Sequence, residues 1–389
     1  MAWVLDKSKD IARHEFNPMR NSLPNRLVAT MCEVPFRALR DYPKRPYNVE
    51  HVTDAGVTHL TPRKIKSLPF ADLLNFEVGN AADKPKVLIA AALSGHHATL
   101  LRDTVKGFAR DFDPYITDWK DARQVPLAEG DFGLDDYVSY LIEFMRTLGP
   151  GTHMVATCQA APAALMAAAV LAESDPELVP ATLTLMAGPM DTRVNPGLIN
   201  KITDKVPLRL FKASNIKKIP GGHPGSGRMV YPGFYQITGF ISLSPKGHVQ
   251  KYAQFVKNNV QGKDAETASF REFYDEYFSV VDMTESFYLE TLERIFFEHH
   301  MPRGLMTYRG KLINFEALNA MPLLTVEGAG DNMCTLGQTE AAHDICPNIP
   351  KKLRKHHVQQ GVGHYGVFSG SKFQAEIYPV ARDFIKAHC

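Results

Sequence analysis

One stretch leaves this chain little freedom. Residues 160–172 read AAPAALMAAAVLA, and a run of alanines and apolar side chains of that length can only be a helix. Pro162 falls in its first turn, where the missing N–H costs little. Immediately before it, HMVAT (residues 153–157) reads as a short buried strand. Cys158-Gln159 therefore has to turn the chain from a strand directly into a helix.

The rest of the chain alternates in the same way, which is the signature of a mostly parallel sheet with helices on both faces. VLIAAAL (87–93), YITDW (115–119), LTLM (183–186) and PLLTVE (322–327) read as strands, with a further short one over 355–358. LDDYVSYLIEFMRTL (134–148) has helical three-four spacing and stops at Gly149-Pro150-Gly151. Helices are also expected over 336–345 and 373–387. Residues 1–80 form an N-terminal extension whose alternating stretches, HVTDAGVTHL and FADLLNFEV, suggest a leading hairpin. The core begins at 81–190 and resumes at 320–389. Between them, 191–319 changes character. A GGHPGSG loop (221–227) precedes polar helical stretches thick with aromatics, FREFYDEYF and ESFYLETLERIFFEHH, and the segment reads as an inserted, largely helical cap. No internal repeat interrupts this plan.

Composition narrows the function. A formal net charge of +2 offers no surface for a polyanion, so nucleic acid is not an expected partner. No uninterrupted apolar run reaches the roughly 18 residues of a transmembrane helix. MAWVLDKSKDIARHEF lacks the basic start, apolar run and small-residue cleavage site of a signal peptide. Five scattered cysteines, Cys32, Cys158, Cys334, Cys346 and Cys389, suit a reducing compartment better than a disulfide framework. A cytoplasmic protein is the expectation. With neither C-x-x-C nor H-E-x-x-H, a metal site gains no support.

A nucleophile on a tight strand-to-helix turn stands above the sheet, with the helix N-terminus facing the developing anion. Bulk two residues to either side would clash, and Ala156-Thr157-Cys158-Gln159-Ala160 has small residues at both places. No G-x-S-x-G occurs. A thiol suits the position, because a neighbouring His and a helix N-terminus both favour the reactive thiolate. The blander alternative is a buried, inert cysteine. The acid should follow a late strand, and the turn after LLTVE supplies Asp331, with Asp344 as a weaker alternative inside an expected helix. The base should lie in the loop before the last helix, where GVGHYG supplies His364. The paired histidines 96-97, 299-300 and 356-357 are expected at the surface or in supporting positions. Two N–H groups should form an oxyanion hole. Gln159 provides one, and the loop Leu93-Ser94-Gly95-His96-His97 the other, from His96 in preference to Ser94. Nucleophile, acid and base in this order make up the α/β-hydrolase pattern.

Taken together, six blocks resemble the intracellular poly(3-hydroxybutyrate) depolymerases: LSGHHATLLRDTV (93–105), YITDWKDARQVPLAEGDFGLDDYVSYL (115–141), VATCQAAPAAL (155–165), LMAGPMDTRVNP (185–196), EGAGDNMCTLGQTEAAHDIC (327–346) and GVGHYGVFSGSKF (361–373). The resemblance covers most of the chain from about residue 84. It implies a cysteine-type α/β hydrolase with the triad Cys158, Asp331 and His364, no cofactor, and a substrate of stored amorphous polyester. Association with storage granules, and release of 3-hydroxybutyrate or its oligomers, are likewise implied. The cap aromatics Phe234, Tyr235, Phe240, Tyr274, Tyr277, Phe278, Phe287, Tyr288, Phe296 and Phe297 then either line a polyester slot or form the cap's own core. Three rivals stay open. A polyhydroxyalkanoate synthase would carry G-x-C-x-G-G where this chain has Ala-Thr-Cys-Gln-Ala-Ala. A soluble short-chain esterase would prefer small esters, and a non-catalytic granule protein would bind polymer without cleaving it.

Overall fold

A computed structural model describes residues 2–14, 16–40, 42–53, 56–77, 84–203, 205–243 and 245–389. The chain folds as two compact units, Pro46–Gln236 with Val281–Cys389, and Met1–Arg45 with Ile237–Val280.

The larger unit is built on an eight-stranded sheet. In chain order its strands are β1 (Pro62–Ser67), β2 (Ala71–Phe76), β3 (Lys86–Ala90), β4 (Asp113–Trp119), β5 (His153–Thr157), β6 (Leu183–Met186), β7 (Leu323–Gly328) and β8 (Arg354–Gln359). Side by side they run β8-β7-β6-β5-β3-β4-β2-β1. Only the β1–β2 and β2–β4 pairs are antiparallel. Central parallel strands are covered on both faces, which is why they read as continuous apolar runs. Four helices matter for the site: α1 (Arg102–Phe108), α2 (Leu134–Leu148), α3 (Ala160–Ser174) and α4 (Tyr378–Lys386). From β3 the chain steps one way to β4, then back past β3 to β5 and on to β6. Right-handed crossovers then put α1 on one face and α2 and α3 on the other. The contacts agree, since α2 packs on α3 and α1 on α4. This is the expected mostly parallel sheet with helices on both faces.

Three local expectations change. The strand expected through residue 93 ends at Ala90. Side chains take over the backbone of the next residue, with Trp119 Nε1 and Tyr137 OH donating to Ala91 O at 2.6 and 2.5 Å and Ala91 N–H donating to Thr117 Oγ1 at 2.9 Å. With its groups engaged, Ala91 has none left for a ladder. The helix expected over 336–345 shrinks to Ala342–Ile345. The buried carboxylate of Glu327 instead accepts the N–H groups of Gly337, Thr339 and Glu340 at 2.8, 2.7 and 3.1 Å, holding them in a turn. In and just before HVTDAGVTHL, Val49–Thr53 pairs antiparallel with Gly56–Leu60, and residues 54 and 55 lie outside the described ones. FADLLNFEV pairs with β1 and not with those strands.

Between β6 and β7 lie the helices Leu208–Asn215, Pro245–Gln261, Asp264–Tyr277 and Glu285–Thr291, and a three-stranded antiparallel sheet of Lys217–Lys218, Met229–Tyr231 and Met283–Thr284. Residues 237–280 of this segment fold with the N-terminal helices Ala2–Arg13 and Leu23–Leu39 in the smaller unit. There Arg271 forks onto the buried Glu33 at 2.6 and 3.1 Å, and Phe255 stacks on Phe270 at 4.2 Å. Tyr274 and Tyr277 are buried in that unit, whereas Phe287 and Tyr288 are buried in the larger one. The side chain of Phe240 lies outside the described residues. No helix among the described residues is long and apolar enough to cross a membrane.

Candidate active site

Strand order fixes where a site can form. From the adjacent strands β3 and β5 the chain departs in opposite directions, and in such sheets the crevice opens at the carboxyl ends of that pair. The register is tight, with Ala90 opposite Ala156 and Thr157 opposite Met186. Cys158 follows directly, in the positive-φ region at +51°. This is a strained conformation for a residue with a Cβ, and it lifts the side chain clear of the sheet. The turn is held by Cys158 N–H donating to Met186 O at 2.8 Å and Ala161 N–H donating to Cys158 O at 3.0 Å. Small residues are required here. A Cβ on Gly188 would lie 2.2 Å from that of Ala161 and 3.3 Å from Cys158 O.

The loops after β7 and β8 converge on the same point. Gly330 N–H donates to Val362 O at 2.9 Å, tying them together. Asp331 Oδ2 lies 2.7 Å from His364 Nδ1, with both side chains almost wholly buried. The other oxygen, Oδ1, accepts N–H bonds from Met333 and Cys334 at 2.8 and 3.0 Å, which fixes the carboxylate plane. With Nδ1 engaged, the far nitrogen of His364 is the one left to act on Cys158, and the two groups bear on one another's charge.

Electrostatics favour an ion pair. Burial pushes the Cys158 thiol up, but the His364 charge, the bond from its ring and the Gln159 N–H outweigh burial and the Asp331 charge, and the thiol falls below its ordinary value. Burial alone would push His364 down; facing Cys158 and Asp331, it is raised to about 10. Cys334 and Cys346 differ, since burial raises Cys334 well above its usual range and Cys346 to about 12.

The Gln159 N–H, at the start of α3, helps to hold the Cys158 thiol down. The loop after β3 forms the opposite wall. Ser94 Oγ lies 4.0 Å from Cys158 Sγ, a proximity the sequence carried no sign of beyond the backbone role considered for that residue. Gly95 has φ +104°, open only to glycine in practice, and its carbonyl accepts the Val281 N–H at 2.7 Å. His96 and His97 are buried rather than at the surface, and the His96 ring stands edge-on to Tyr365 at 5.9 Å. Tyr365 in turn stands edge-on to His364 at 5.8 Å. His299 and His356 bond Thr192 and Thr325, in supporting positions. Asp344 lies elsewhere, on a cleft of about 680 Å³ that it shares with Asp191, Arg193 and Phe315. Among the described residues no His, Cys, Asp and Glu side chains are grouped as a metal ion would require.

Fold and site together define an α/β hydrolase. The fold is shared with a soluble variant of monoglyceride lipase from Saccharomyces cerevisiae solved with a substrate analogue, at TM-score 0.50 and 10% identity over 85% of this chain and 97% of that one. DcsB in complex with its substrate analogue is similar at TM-score 0.49 and 14% identity, over 85% of this chain and 100% of that one. Comparison with curated protein sequences gives no match. The family model described as PHB de-polymerase C-terminus matches residues 187–389, just over half of the chain. The chain belongs to the PHB de-polymerase family and is an ester hydrolase.

Proposed function

We propose that the chain hydrolyses the ester bonds of amorphous poly(3-hydroxybutyrate) through Cys158, His364 and Asp331, acting at storage granules in the cytoplasm. The observation that carries this reading is the Asp331–His364 bond at 2.7 Å, with Cys158 on the far side of the ring. In the resting pair the thiolate faces the imidazolium. The sulfur attacks the ester carbonyl, a C–S bond forms, and the carbonyl electrons move to an oxyanion held by the Gln159 and His96 N–H groups. On collapse the C–O bond breaks and the imidazolium gives its proton to the departing alcohol end of the polymer. Neutral His364 then takes a proton from water, whose oxygen attacks the thioester. The acid leaves, and the thiolate–imidazolium pair is restored. Asp331 fixes the ring tautomer and stabilises its charged form. No step calls for a cofactor. Residues 191–236 and 281–319, which fold with the sheet, act as a cap for the chain entering this site.

Against synthesis stands the Ala-Thr-Cys-Gln-Ala-Ala turn, which lacks the synthase glycines. The test is to offer the purified protein amorphous polymer granules and, separately, 3-hydroxybutyryl-CoA. Release of 3-hydroxybutyrate from granules without polymer formation from the thioester is the expected result. Polymerisation, preference for soluble short-chain esters, or binding without release would each overturn it in favour of the corresponding rival.

A further inference from the structure

The chain leaves the larger unit after Gln236 and rejoins it at Val281, both far from the loop after β3 in sequence. Both residues nevertheless bear on the loop after β3. The Gln236 side chain is 4% exposed, and its Oε1 lies 2.2 Å from where a Cβ on Gly95 would be, so it rests directly on the glycine. Its Nε2 donates to Val281 O at 3.1 Å and reaches Tyr231 O at 3.5 Å. Val281 N–H donates to Gly95 O at 2.7 Å. Asp282 anchors the arrangement. One of its oxygens accepts Gly233 N–H at 2.9 Å, and the other accepts Nε and Nη2 of Arg123 at 3.0 and 2.8 Å.

The peptide between Gly95 and His96 is trans, so its carbonyl and N–H point in opposite directions. Holding the Gly95 carbonyl against Val281 therefore turns the His96 N–H the other way. We infer that Gln236 is a positioning residue: it grips Val281 and rests on Gly95, keeping the His96 N–H aimed at the oxyanion formed at Cys158. This rests on the cysteine mechanism proposed above. At neutral pH an amide suits the place, since its nitrogen donates to a buried carbonyl while its oxygen rests on the glycine. Losing that donor leaves the Val281 carbonyl unpaired and loosens the segment whose Val281 N–H holds the Gly95 carbonyl.

Two variants of the full chain, assayed on p-nitrophenyl butyrate, test it. Gln236→Met keeps the length and removes the donor. Its kcat should fall about tenfold or more, as for a misplaced oxyanion donor, with KM within about twofold. Iodoacetamide alkylation of Cys158 should keep its wild-type rate, because the thiolate pair is untouched. In Gln236→Glu only the protonated carboxyl can donate to Val281 O, so kcat relative to wild type should rise as pH is lowered. A wild-type kcat in Gln236→Met, or a loss of kcat matched by an equal loss of alkylation rate, would overturn the inference. Alkylated wild type that still hydrolyses the ester would overturn the Cys158 mechanism itself.

Discussion

At Cys158 burial and charge oppose one another, and charge prevails through His364. An ordinary thiol ionises near pH 8.5, and the His364 charge, opposing burial, lowers the Cys158 thiol from its ordinary value. Removing the imidazole reverses the balance, because burial then acts without its opponent. His364→Ala should therefore move the alkylation midpoint of Cys158 from below the ordinary thiol range to above it, read from the pH dependence of iodoacetamide labelling. An unchanged midpoint would exclude the pair. The residues that bear on this chemistry were unequally legible. Cys158, Asp331 and His364 each follow a strand in an order that the fold dictates, so turn chemistry alone pointed to them. Ser94 stood out only as a weaker backbone donor, with no sign of its side chain's place, and Gln236 carried no sign at all. Their closeness to the sulfur and to Gly95 depends on strand neighbours and a long excursion of the chain, neither of which leaves a local pattern.

The junction between β5 and α3 depends on the absence of side-chain volume. Ala161 and Gly188 are packed so closely that a single methyl group on Gly188 must displace the helix or the strand end. Gly188→Ala is expected to cost about 1–3 kcal/mol of stability, a loss of roughly 2–4 °C in Tm per kcal/mol for a domain of this size, and to lower kcat by shifting the elbow. Thermal denaturation and ester turnover measured on the same preparation check both, and a neutral outcome would show that the elbow tolerates movement. At this scale the buried strands and the alanine helix were readable, because each has a periodicity of its own. The false ends were not. β3 stops early because Trp119 and Tyr137 claim the Ala91 carbonyl, and the helix near residue 340 is shortened because Glu327 captures its N–H groups. In both places tertiary hydrogen bonds override local preference.

Across the whole molecule, the α/β core was visible as alternation, and the blocks from residue 93 onward carried the family. Division into two units was not. That residues 2–40 share a unit with 237–280 is decided by pairs such as Arg271 with Glu33, which no local pattern announces. The core carries the residues of the proposed chemistry, and the proposed polyester substrate comes from the family. The claim joining them is that the polymer's acyl group passes through the Cys158 sulfur. Rapid acid quenching of the protein with amorphous poly(3-hydroxybutyrate), followed by mass spectrometry of its peptides, tests this directly. A 3-hydroxybutyryl thioester on the peptide carrying Cys158 is the expected result. An acyl group on Ser94, or hydrolysis that proceeds at full rate in Cys158→Ala, would contradict it.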